Sequence, residues 1–127
     1  MKYLLLIYQN EAELGTKGEA AMKAMHDEYK SFTQGIIKSG RFKGGDALER
    51  TQTATTVRVR GGKTLTTDGP FAETREQLGG YYLIEAKDLD EAIKVAARVP
   101  SAKFGSIEIR PIRVFADMPE WAKAATA

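Results

Sequence analysis

The sequence predicts an α+β sandwich, an antiparallel sheet with two helices on one face. Three observations carry that expectation. The opening run from Tyr3 to Tyr8 is short and apolar at every position, the mark of a buried strand. Further on, Met22, Met25, Tyr29, Phe32 and Ile36 recur at steps of 3, 4, 3 and 4, a helical stripe. After that helix, strand-like runs alternate with turn signals rather than with more long helices.

Length and composition narrow the class. A chain of 127 residues makes one domain with a sizeable core. The charged fraction is 28% and the net charge +2, with no Lys/Arg block, so direct nucleic-acid binding has little support. Cysteine is absent, which excludes disulfides, thiolate nucleophiles and zinc–thiolate sites. MKYLLLIYQN lacks a small-residue cleavage site, and no stretch has the length of a membrane span. A cytoplasmic protein with a buried first strand is expected.

Taken in order, residues 2–8 form a strand apolar on both faces: Tyr3, Leu5 and Ile7 on one, Leu4, Leu6 and Tyr8 on the other. Residues 10–16 are polar and read as a loop. Thr16 to Glu19 has capping-box spacing and opens a helix over roughly 17–39, with Gly40 after its end. Gly44-Gly45 reads as a break. Residues 51–60 make a half-buried strand, Gly61-Gly62 a hairpin turn, and Lys63 to Thr67 the return strand, both towards an edge of the sheet. Gly79-Gly80 leads into a central strand at Tyr81–Ala86. Asp88 caps a short helix whose apolar stripe is Ala92, Ile93, Ala96 and Ala97, and Val99-Pro100 ends it. Residues 106–115 form the last strand, with Pro111 marking an edge position or a bulge. The tail, 117–127, carries Trp121 as its anchor and frames an interface or stays partly disordered.

The order β, long α, β-hairpin, β, short α, β is that of the ferredoxin-like split βαβ sandwich. Both helices cover one sheet face. The doubly apolar first strand requires the other face to be covered too, and a homodimer closed through the sheet faces is the expected solution.

The densest turn signal is Asp68-Gly69-Pro70, followed by Phe71, an aromatic on an otherwise exposed loop. Asp68 reads either as an acid or base in a constrained, partly apolar loop or as a turn-former bonded to nearby backbone N–H groups. Gly69, Pro70 and Phe71 would line a ligand site beside it. His26, the lone histidine, borders the helical stripe, a place more often held by a surface or interface residue than by a catalyst. Arg58 and Arg60 share one strand face, whereas Arg110 and Arg113 flank Pro111. They are candidates for an acidic ligand, or plain ion-pair partners of residues such as Glu85 and Glu108. Tyr81, Tyr82 and Phe71 could form an aromatic pocket or simply pack. No metal-ligand spacing and no phosphate-binding loop is present, so no cofactor is expected.

Four stretches together resemble one family. MKYLLLIY opens the chain, TATTVRVRGGKTLTTDGPFAETREQLGGYYLIEA fills its centre, DLDEAIKVAARVPSA follows and GSIEIRPI closes. They are similar to the YCII-related family, in the subgroup named for its DGPF motif, over roughly residues 1–114 of a domain expected to span 1–116. The resemblance implies a dimeric α/β-barrel. Relatives carry a His–Asp pair suspected of acid–base work, and some related dimers handle small organic molecules such as chlorinated aromatics. Here the aspartate is Asp68, but the histidine's position, counted back from Gly40, falls on Tyr29, with His26 nearly one turn earlier. The expected function is therefore small-molecule binding, with acid–base activity resting on Asp68, Tyr29 and His26. Genes of this subgroup often neighbour those of extracytoplasmic-function sigma factors, which implies a second reading: a non-catalytic accessory factor in transcriptional regulation.

Overall fold

The computed structural model describes residues 1–119. Six strands and three helices follow one another as β1 (Lys2–Gln9), α1 (Glu11–Leu14), α2 (Glu19–Lys38), β2 (Phe42–Ala47), β3 (Thr55–Arg60), β4 (Lys63–Asp68), β5 (Gln77–Glu85), α3 (Leu89–Ala97) and β6 (Ser106–Pro111). Four strands make an antiparallel sheet in the order β2-β5-β1-β6, and β3 and β4 pair only with each other. The apolar strands β1 and β5 hold the centre.

The core lies between one face of this sheet and the helices. Tyr3, Leu5 and Ile7 of β1 and Ile84 of β5 meet Phe32 and Ile36 of α2 and Ala92, Val95 and Ala96 of α3. Alternation sends Leu4, Leu6 and Tyr8 to the opposite face. Their partners across the ladder are Leu83, Tyr81 and Leu78, so this face is apolar too and only half-buried within one chain.

Several features differ from the sequence reading. The second strand of the sandwich is β2, at the supposed Gly44-Gly45 break. The 51–60 segment instead supplies a short 3-10 turn (Thr51–Thr53) and then β3 of a separate two-stranded ribbon. The ribbon is thus an insertion between β2 and β5, not an edge of the main sheet. Its alternating pattern specified pairing with β4 but not attachment to a third strand. Gly79-Gly80 lies inside β5, not before it. Residues 10–16 contain α1, capped by the Asn10 side chain accepting from the Glu13 N–H. Helix α2 begins at Glu19, with Gly18 as its N-cap and no side-chain cap bond; the Thr16 hydroxyl donates to the Glu13 carbonyl instead. β6 ends at Pro111, whose missing N–H cannot extend a ladder, and it is an edge strand as Pro111 implied. The tail's Trp121 lies outside the described residues.

Candidate functional site

Glycine shapes the sheet beneath the N-terminal half of α2. Gly45 of β2 and Gly79 and Gly80 of β5 sit where a strand would normally present side chains. A Cβ on Gly45 would stand 2.8 Å from both the Tyr81 carbonyl oxygen and the Tyr82 ring. Any other residue there forces its neighbours to shift. On Gly80 it would lie 3.0 Å from the Asp46 carbonyl oxygen. The register shifts between Ile7 and Tyr8: Ile7 faces Gly80 while Tyr8 faces Leu78, leaving Gly79 as the extra residue of a bulge.

Over this hollowed stretch lies a cavity of about 580 Å³ between α2 and the sheet. That volume is in the range of small-molecule sites. Met22, Met25, Phe42 and Ile7 supply apolar wall, while Tyr29, Thr33, Tyr82, Gln9, His26 and Lys30 supply polar groups. Helical spacing brings Met22, Met25, His26, Tyr29 and Thr33 to one flank of α2. The Tyr29 hydroxyl hydrogen-bonds the Ser101 hydroxyl, itself fully buried. The Tyr82 and Thr33 hydroxyls are 2.6 Å apart, and the Tyr82 ring packs edge-on against Phe32 and Phe42. These contacts fix the wall's aromatic and hydroxyl groups on regular elements.

Burial pushes the Tyr29 phenol above its ordinary value of 10.0; the Ser101 hydrogen bond works the other way and the neighbouring Tyr82 phenol adds to the rise. Tyr29 is thus neutral at physiological pH, a state suited to donating a hydrogen bond or a proton and not to accepting one as a base. The Tyr81 phenol is also raised, because it donates to the Asp46 carboxylate at 2.6 Å. Tyr81 borders the cavity, but its place opposite Leu6 in the ladder puts its side chain on the other sheet face.

Of the residues singled out in the sequence, the structure brings Tyr29, His26, Tyr81 and Tyr82 to this cavity. It does not bring Asp68, Gly69, Pro70, Phe71 or Arg58 there: none of them lines it. Asp68 ends β4 opposite Thr55, exposed, and among the described residues no hydrogen bond reaches its carboxylate. Its loop is held through the backbone, where the Gly69 N–H donates to Ala54 and the Thr56 hydroxyl to the Gly69 carbonyl. Gly69 has φ of 104°, which suits glycine, and Phe71 is 80% exposed. A loop's turn chemistry is legible in sequence, but where a detached ribbon carries it is not. Arg110 pairs with Glu108 at 3.1 Å. Among the described residues no cluster of His, Asp and Glu could hold a metal ion.

Sequence reasoning missed Gln9, Gly45, Gly79 and Gly80. The signal was present: two Gly-Gly pairs flanked by strand residues mark close backbone approach as well as turns.

Comparison with known proteins agrees with the architecture. A family model described as the YCII-related domain matches residues 1–116. An uncharacterised protein of Rhizobium meliloti (strain 1021) is 32% identical over 117 residues, which is 91% of this chain and 94% of that one. Among solved structures, 5-chloro-2-hydroxyhydroquinone dehydrochlorinase from Burkholderia phenoliruptrix AC1100, in complex with 2,5-dihydroxybenzoquinone, superposes with a TM-score of 0.53. It shares 11% identity, covering 89% of this chain and 94% of the other. At that identity the likeness is one of fold.

Proposed function

The chain belongs to the YCII-related family, and we propose that it binds a small organic molecule in the cavity between α2 and the sheet. The observation that carries this is the cavity itself: a hollow of about 580 Å³ opened by mid-strand glycines, with apolar walls and converging hydroxyls. A fold relative solved with a quinone bound is compatible with such a ligand. Tyr29 is the acid or hydrogen-bond donor of the site. His26, the only imidazole in the chain, is its candidate proton acceptor. Asp68 stands outside the cavity of its own protomer and is not required for binding there.

Two chains pairing through the face of Leu4, Leu6, Tyr81 and Leu83 would cover apolar surface that one chain leaves half-exposed, and we place the homodimer interface there. The accessory-factor reading gains no particular support from the geometry and becomes an outcome of the test.

The test is a thermal-shift screen of hydroxylated aromatics and small carboxylic acids on the wild type and on Met25→Trp, which fills the cavity. Compounds that stabilise the wild type and lose that effect in the variant bear the proposal out. Stabilisation that survives Met25→Trp moves the site elsewhere, and no stabilisation by any compound favours the non-catalytic accessory role.

A further inference from the structure

Gln9 is the last residue of β1 and one of the polar groups lining the cavity. Its Oε1 is buried, and among the described residues it is the one buried side-chain polar atom with no hydrogen-bond partner. Among the described residues no hydrogen bond engages its Nε2 either. Native proteins rarely leave such an acceptor unmatched, and the exceptions call for a reason. The local backbone supplies a position for the amide. The β5 bulge puts Gly79 beside it, and a Cβ there would stand 3.4 Å from Gln9 Nε2. A bulge at a sheet end commonly re-aims a neighbouring side chain. The free amide therefore sits on a rigid strand at the wall of a cavity.

We infer that Gln9 is a ligand-recognition residue whose side-chain amide pairs with a molecule presenting a hydrogen-bond donor and an acceptor side by side. This rests on the cavity being the binding site. The amide carries one acceptor and two donors, and a turn about its last, soft torsion brings both ends to the cavity together. The complementary ligand is neutral and flat, with an edge such as that of a lactam. A carboxylate suits it less, because an anion engages Nε2 alone and leaves Oε1 unmatched.

The probes are 2-pyridone, which has adjacent N–H and C=O, and 1-methyl-2-pyridone, in which a methyl group replaces the donor hydrogen; the variants read out the steric effect of that methyl. Binding to the wild type, Gln9→Met and Gln9→Leu is followed by protein-observed NMR titration, and melting of the free proteins by calorimetry. The inference expects wild type to prefer 2-pyridone by about tenfold or more, since a site built for a hydrogen bond rejects the analogue lacking it. Both variants should bind the two probes alike. Free Gln9→Met, close in volume to glutamine, should melt no lower than wild type, because an unmatched buried acceptor has been removed. A lower melting temperature for both free variants overturns the inference, for then the amide is already satisfied. A donor preference that survives in the variants overturns it as well. Equal binding of both pyridones by the wild type removes the role of Gln9 but leaves the cavity reading standing. If neither binds, while compounds of the thermal-shift screen do, the ligand class is wrong; if nothing binds, the cavity reading falls with it.

Discussion

The Tyr82 hydroxyl on β5 and the Thr33 hydroxyl on α2 lie 2.6 Å apart, a direct tie between sheet and helix beside the cavity both residues line. The Tyr82 ring is held independently, with centroids 5.4 Å from Phe32 and 6.3 Å from Phe42. Tyr82→Phe should therefore keep the packing and lose the tie, costing about 1 kcal/mol in urea unfolding. Tyr82→Leu should cost more, because the edge-on aromatic contacts go with the ring.

Gly45 and Gly44 should behave oppositely despite being neighbours. A Cβ on Gly45 meets backbone and ring at 2.8 Å, whereas on Gly44 its nearest contact is the Leu83 Cβ at 3.9 Å. Gly45→Ala should destabilise by about 1–3 kcal/mol, as overpacking does. Gly44→Ala should be nearly neutral. Chemical denaturation of the two variants side by side checks the pair.

Tyr29 has a pH signature. Its pKa is raised in the folded chain above the 10.0 of an unperturbed phenol, chiefly by burial. The folded state thus holds this proton more tightly than the unfolded state. Its contribution to stability is complete below pH 10 and is lost as pH climbs through the folded value. In melting temperatures from about pH 7 to about pH 11, the wild type should lose stability beyond pH 10 more steeply than Tyr29→Phe does.

The same residue guards a buried hydroxyl. Ser101 is 0% exposed and its side chain bonds Tyr29. Tyr29→Phe should cost about 1–3 kcal/mol by leaving that hydroxyl unpaired. Adding Ser101→Ala should return part of the loss, which a double-mutant cycle measures.

The open sheet face predicts the assembly. Leu6 lies opposite Tyr81 at its centre. Sedimentation velocity should show a dimer for wild type and a shift towards monomer for Leu6→Asp. A wild-type monomer at micromolar concentration contradicts the interface.

Much of the fold was legible because its signals are local. The 3.6-residue stripe from Met22 to Ile36 defined α2, the doubly apolar run defined β1, and the side chain of Asp88 caps α3 by accepting from the Glu91 N–H, as its spacing implied. What misled was glycine. Gly44-Gly45 and Gly79-Gly80 look like turns in a string of residues, yet they serve a strand and a cavity floor, functions defined by what approaches them from elsewhere in the chain. The site was half legible for the same reason. Tyr29 and His26 share the helix flank that the stripe defines. Asp68 belongs to a ribbon with no hydrogen-bonded neighbour in the main sheet, and no local pattern says where such a ribbon carries its end. Gln9 was invisible because an unmatched amide is a property of its surroundings.

The most direct measurement is a ligand titration of isotope-labelled wild-type protein and Asp68→Asn, using the best stabilising compound from the thermal-shift screen and following backbone amide shifts. Saturable changes centred on Gly45, Gly79, Gly80 and the Met25–Thr33 stretch of α2, with equal affinity in both proteins, are the expected result. Changes confined to the Asp68–Phe71 loop and its ribbon, or binding abolished by Asp68→Asn, would contradict a site in the cavity between α2 and the sheet.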